Sequence, residues 1–527
     1  MVAERDIIMA GENVSLENLL EEFNFNATRD TSKFVSALEN LLTLATSSEE
    51  KLKWIAAGID VNILFNELGD SGEDSILKQP QNKSVLADLC KLLGLILSTI
   101  SPVNVFTQYV SHIVKSFDAG IEEYLAECLH QTMRLAQTGN IGMFMSNPEI
   151  FVFIVKGLGF KSLSVASSSR KVIVKLFECT EQTEWLFSSE VYGVCRNLME
   201  KDATVRFRVY EIFLELLKLQ PEDFFKFAEL GSFDCLFTDL MDSGDVLSQL
   251  NALEHITQLA LTGIQGLEFV EQRGIMSWLQ NTFSSGDPFA QFLLPGAIKC
   301  FGVLCASNPT KIISKYQNLL TFIYENLSSP DTSIRCLCVE TLAFISSRSD
   351  ALKELYKHPD SLKESTEKIG QMVASHAEDE QTKSKILVAV ATMFLHDPAD
   401  VELSMICEKL FHHLSSEPVR FLMDLAKQPF LAIRYGALKL FCNVSKFSWV
   451  EQDMALCAGF LEYLLDRKTE SEKEGRELKY HVVKNLAISN TAGENLGMGF
   501  HNKILAYAKE GPFYSEGQVA VTYQREN

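Results

Sequence analysis

Proline and glycine are scarce in this sequence, at 13 and 28 of 527 residues, both below average usage. Separate domains on flexible tethers would need stretches rich in them, and no long low-complexity linker is present. One continuous assembly with a large core is therefore expected. Positive charge is also short: 48 Lys and Arg stand against 69 Asp and Glu, a formal net charge of −21. Nucleic acid and anionic membranes both require local positive potential, so neither is an expected partner. A protein surface of basic or mixed charge is.

Other signals are missing as well. The opening "MVAERDIIMAGENVSLEN" has no basic segment followed by an apolar one, and so does not read as a signal peptide. The apolar run "LADLCKLLGLILSTI" is too short to cross a bilayer and carries Lys91. A soluble chain of the cytosol or nucleus is expected. The 12 cysteines are scattered singly, as at Cys90, Cys128, Cys179 and Cys235, and the close pair Cys336 and Cys338 lacks the two-residue gap of zinc and redox motifs. They read as reduced thiols that serve as small core residues, and the sequon at Asn26 is then idle.

Catalytic chemistry is equally thin. "GDSG" around Ser71 has the letters of a serine-protease nucleophile but stands in a polar, acidic stretch of a helical chain. "GLGFKS" at 157–162 falls short of a phosphate loop. The 10 histidines show no zinc spacing, and adjacent His412 and His413 on a helix point about 100° apart. No catalytic residue, cofactor site or metal site is assigned, and an enzyme is not expected.

What is present is a repeat. "DATVRFRVYEIFLELL" begins at Asp202 with Asp-x-x-Val-Arg; "DTSIRCLCVETLAFIS" repeats it at Asp331 and "FLAIRYGALKLFCNVS" at Arg434. Arg206 and Arg335 lie 129 positions apart, three steps of about 43. Between them, Gly231 and Gly274 each open an apolar helix, a Ser-Gly-Asp turn and a second apolar helix. Weaker copies include "AGIEEYLAECLHQTMRLA", "SVASSSRKVIVKLFE", "EQTKSKILVAVATMFL" and "ELKYHVVKNLAIS".

In each unit the aspartate caps the second helix. Val205, Val209, Ile212, Phe213 and Leu216 then form one helical stripe. Such a helix pair cannot bury its apolar face alone, so neighbours stack. Length over period predicts roughly ten to twelve pairs, an all-α superhelical solenoid of the armadillo/HEAT type. It would run through residues 1–510, with 1–60 as an N-terminal cap region and 511–527 as a flexible tail. Arg206 is mainly a repeat mark, whereas Arg208 and Tyr210 fall off the stripe and stay available for binding. Pro295 and Gly296 should kink or split their helix, and 68–84 and 466–479 read as charged loops.

At "VRFRVYE", "DPFAQFLLPG", "KYHVVKNLA" and "EGPFY" the chain resembles the 26S proteasome non-ATPase regulatory subunit 5 family, armadillo/HEAT-like assembly chaperones. The resemblance runs through residues 90–520 and leaves the first sixty unmatched. It implies binding to the C-terminal domain of one ATPase subunit of the regulatory-particle base. It further implies a module with a second base ATPase and a large non-ATPase scaffold subunit, and opposition to premature docking on the core particle. A monomer is expected when the chain is free.

For a contact of about 800 Å² per partner, the candidate residues are Arg208, Tyr210, Glu211, Phe289, Phe292, Arg335, Arg434 and Tyr435, since aromatics and arginines are favoured anchors. The alternative is a generic scaffold or transport adaptor of the same fold. An importin-like groove would need Trp-Asn pairs, yet Trp54, Trp185, Trp278 and Trp449 are each followed by another residue.

Overall fold

Apolar residues recurring every three to four positions build helices throughout the computed structural model, which describes residues 18–24, 31–69, 83–179, 183–242 and 244–514. No strand occurs among the described residues, and the chain is an all-α solenoid of the armadillo/HEAT kind. Its contacts divide it after Cys235 into two units. In the first, the long helices α1 (Thr31–Ser47), α2 (Lys83–Thr99), α3 (Glu122–Gln137), α4 (Leu163–Cys179) and α5 (Ala203–Leu219) form a ladder, each packed on the next. In the second the ladder is α6 (Val246–Ala260), α7 (Pro288–Ser307), α8 (Thr332–Ser346), α9 (Glu380–Thr392), α10 (Leu431–Val444), α11 (Lys473–Ile488) and α12 (Met498–Glu510). Every weak copy of the repeat lands on a ladder helix.

The remaining helices make a second layer, two between most successive rungs of the second unit, such as Ile264–Gln272 and Ile275–Ser284 between α6 and α7. The repeat is thus three helices where the sequence pattern showed two. Glu271 ties one layer step to the next by accepting from Lys311, Lys315 and Tyr316. Burial opposes ionisation of its carboxyl, but those donors outweigh it and hold the group down at about 2.

The expected stripe on α5 is buried, but so are Phe207, Tyr210, Leu214 and Leu217. A rung has neighbours on more than one side, and one helical stripe cannot cover them all. The repeat aspartates do cap the rungs: Asp202 accepts from Val205 N at 2.9 Å, Asp245 from Leu247 N and Ser248 N at 3.2 Å, Asp287 from Phe289 N at 3.0 Å. Asp331 accepts from Ser333 N at 2.8 Å and Asp379 from Thr382 N at 2.8 Å. Each such cap contributes about 1 kcal/mol. Gly231 and Gly274, which start the preceding helices, stand at φ 68° and 87°, a conformation that side chains disfavour.

Arg335 and Arg434 join consecutive repeats, and Arg206 ties its rung to the helix just before it. Arg206 Nη1 donates to Met199 O at 3.1 Å. Arg335 donates to Ser329 O and to Glu378 just before α9, and Arg434 donates to Thr469 O and to Glu470 just before α11. Glu470 is 2% exposed and shares its surroundings with Lys479, whose Nζ donates to Asp466 O at 2.6 Å. Burial pulls that ammonium down to about 8, while Glu470 and Asp466 oppose the shift.

The last carbonyls of each rung need donors of their own, and the following repeat supplies them. Arg134 donates to Leu97 O, Cys179 weakly to Ala136 O, and Gln220 to Phe177 O. In the second unit His396 Nε2 donates to Ser346 O at 2.9 Å, Asn443 to Ala391 O at 2.7 Å, and Asn485 to Cys442 O at 2.8 Å.

Two local expectations are corrected. α7 is not split at Pro295 but continues as one helix; the carbonyl left without a donor is that of Gln291, an exposed residue that water can satisfy. α7 is also the one described helix long and apolar enough for a membrane span, a composition its place between α6 and α8 accounts for. The stretch 466–479 is no loop: a 3₁₀ turn spans Arg467–Thr469 and α11 begins at Lys473, because Glu470 and Lys479 are drawn into the buried charge cluster. Gly511 and Tyr514 are held by Arg467, which donates to Gly511 O at 2.7 Å and lies over the Tyr514 ring. Residues 515–527, Asn26, Ser71 and most of the 68–84 stretch lie outside the described residues.

Burial pushes the thiols of Cys90, Cys195, Cys300 and Cys407 up to about 12, so they pack as protonated side chains.

Replacing Arg434 by Ala strands Glu470 as a buried charge, and chemical denaturation should register a loss of about 3–5 kcal/mol; an unchanged midpoint would refute the coupling. A second expectation concerns pH. Burial lowers the pKa of His396, and those of His112 and His413 shift the same way. The unfolded chain therefore takes up protons first, and stability should fall as pH drops below about 6.5. His396→Gln, which keeps a donor for Ser346 O, should flatten the dependence of melting temperature on pH between 7.5 and 5.5.

Candidate protein-binding surface

The eight residues singled out from sequence meet different fates. Tyr210 is fully buried and offers no surface, because position 210 of α5 faces a second set of neighbours. Arg208 donates to Leu158 O at 3.3 Å and Phe160 O at 3.0 Å, an internal tie. Arg335 and Arg434 are held between repeats as described above, and Tyr435, half-buried, packs beside Gly475. Glu211 is exposed and 3.6 Å from Arg170. Phe289 and Phe292 remain, at 68% and 66% exposure. The structure does not gather the eight into one patch.

The two phenylalanines do belong to a patch that the sequence reading missed. On α7 they share a helical face with Gly296, Lys299 and Val303. Leu247 on α6 is also largely exposed and stands two residues after its capping aspartate, the register position that Phe289 holds on α7. Towards the other ends of these helices, α6, α7 and α8 enclose a cleft of about 350 Å³. Leu250, Leu253 and Leu337 line it, and Phe344, 46% exposed, stands at its edge.

Glycines make the cleft. A β-carbon at Gly296 would lie 3.1 Å from side-chain atoms of Leu250 and Leu253, and one at Gly302 would meet Thr341 at 2.6 Å. Without side chains there, α7 sits low between its neighbours and leaves a trough above.

The polar rim comprises Glu254, Gln258, Lys299 and Glu340. Glu254, Gly296 and Glu340 each stand nine residues after their capping aspartate, so a carboxylate from either neighbouring helix flanks the glycine. Once the caps are aligned, that register is readable in sequence. Val388, Leu395, Phe430 and Leu431, on and around α9 and α10, are further exposed apolar residues. Exposed aromatic and aliphatic groups beside a cleft with a mixed polar rim are the makings of a protein interface.

Comparison with known proteins follows the same line. A family model described as "Proteasome non-ATPase 26S subunit" matches residues 16–527. The 26S proteasome non-ATPase regulatory subunit 5 of Bos taurus is 27% identical over 496 residues, which cover 92% of this chain and 96% of that relative. Its Homo sapiens counterpart is 26% identical over 497 residues, with the same shares. Among solved structures, a mutant of the karyopherin Kap121p is similar with a TM-score of 0.55 at 12% identity, over 99% of this chain and 53% of that one; the likeness is one of fold. The family match starts at residue 16, so most of the first sixty residues, expected to lie beyond the resemblance, fall within it. With nearly the whole chain matched, this protein belongs to the family of proteasome non-ATPase 26S subunits.

Proposed function

We propose that the chain is a non-catalytic assembly chaperone for the base of the 26S regulatory particle. In this reading it binds the C-terminal domain of one base ATPase, within a module that also holds a second ATPase and a large scaffold subunit. It opposes premature docking on the core particle and works in the cytosol or nucleus. Family membership supports the connection to the proteasome. The observation that carries the binding role is the exposed pair Phe289 and Phe292 on α7, beside Leu247 and the apolar cleft, since monomeric proteins seldom leave a sizeable contiguous apolar patch without a partner. A transport adaptor of the same fold is disfavoured: Trp54, Trp185, Trp278 and Trp449 all lie on second-layer helices and none on a rung.

Affinity purification of the full chain from cells should recover base ATPases without mature core particle. Phe289→Ser with Phe292→Ser should cut that recovery about tenfold or more, as anchors of this type cost at least 1–2 kcal/mol each. Melting temperature should stay nearly constant, because both rings are on the surface. Intact capped proteasomes in the eluate, or no proteasome ATPase at all, would reject the reading.

A further inference from the structure

The trough across α6, α7 and α8 has features that a general apolar contact does not require. Its floor is Gly296, its walls are leucines, and its two long edges carry Glu254 and Glu340 at equivalent register on the flanking helices. Among the described residues neither carboxylate has a Lys or Arg within ion-pair distance; Glu254 accepts a hydrogen bond from Gln258 Nε2 at 3.1 Å. Lys299 stands on the same rim, so one ammonium offsets part of the charge and the trough stays net negative. An apolar channel bounded by two carboxylates matches a side chain with a hydrocarbon stem and a cationic head. The half-exposed Phe344 adds a ring face that favours a cation.

We infer that this trough receives one Lys or Arg side chain of the protein partner, its stem over Gly296 and its charged head between Glu254 and Glu340. The inference rests on the binding role proposed above and deepens it. It gives that surface a specificity for a basic residue set among apolar ones, while the Phe289 and Phe292 end supplies contact area. A net charge of −21 over the whole chain favours the approach of such a partner segment.

The test uses nonapeptide libraries randomised at every position but the fifth, which is fixed as Lys, Arg, norleucine or Glu. Binding to the full-length chain is read by fluorescence anisotropy. The Lys or Arg libraries should bind at least tenfold better than the norleucine and Glu libraries. Glu254→Gln combined with Glu340→Gln, both exposed and close to isosteric, should abolish that preference without moving the melting temperature. Equal binding of all four libraries, or a preference that survives in the double variant, overturns the inference.

Purification from cells separates this failure from that of the parent reading. ATPase recovery at the wild-type level by the Glu254→Gln, Glu340→Gln chain, with loss in the Phe289→Ser, Phe292→Ser chain, removes the trough and leaves the chaperone role. If the wild-type chain recovers no ATPase, the chaperone role falls, and the library preference still decides the trough.

Discussion

A rung of this protein cannot stand by itself. Helices such as α5 are apolar on more than one side, and their last carbonyls have no donors within the helix, so an isolated rung would expose hydrocarbon to water and leave backbone acceptors dependent on solvent. The next repeat answers both needs at once. It covers the apolar face and sends a donor to the helix end: Arg134, Gln220, His396, Asn443 and Asn485 all act this way, although their side chains have little else in common. Arg335 and Arg434 fasten the opposite end of their rungs to a carboxylate one repeat ahead. Stability in such an array is a sum over adjacent pairs.

How much of this could be read from sequence follows from how local the chemistry is. Capping aspartates at 202, 245, 287 and 331 and left-handed glycines at 231 and 274 act within a few residues, so each leaves its mark in a short window, and the repeat and the all-α class were legible from them. Tyr210 was not, because its burial depends on which helices lie across from α5. Pro295 misled for a related reason: whether a proline breaks a helix depends on whether the orphaned carbonyl can find water, and Gln291 faces outwards. The carbonyl donors were invisible because arginine, glutamine, histidine and asparagine all fill one role.

The binding surface shows the same division. Phe289 and Phe292 were identified because aromatic residues off the core stripe of a second helix are favoured interface anchors. The trough beside them arises from two glycines on α7 and from carboxylates on two other helices, about 43 residues to either side, and no single window contains it. The arginines proposed alongside the phenylalanines proved to belong to the scaffold. A cation in an acidic chain is more readily claimed by a nearby carboxylate or a free carbonyl than left for a visitor, and Arg208, Arg335 and Arg434 are each claimed.

The capping aspartates from Asp202 to Asp379 follow one another at 43, 42, 44 and 48 residues, although the rungs they cap run from 13 to 20 residues. Length polymorphism is therefore tolerated behind the cap and resisted at it. Relatives that have drifted to about a quarter identity can gain or lose residues between caps while every rung start stays in phase. An alignment anchored on cap positions would follow such drift further than one that weighs all columns equally.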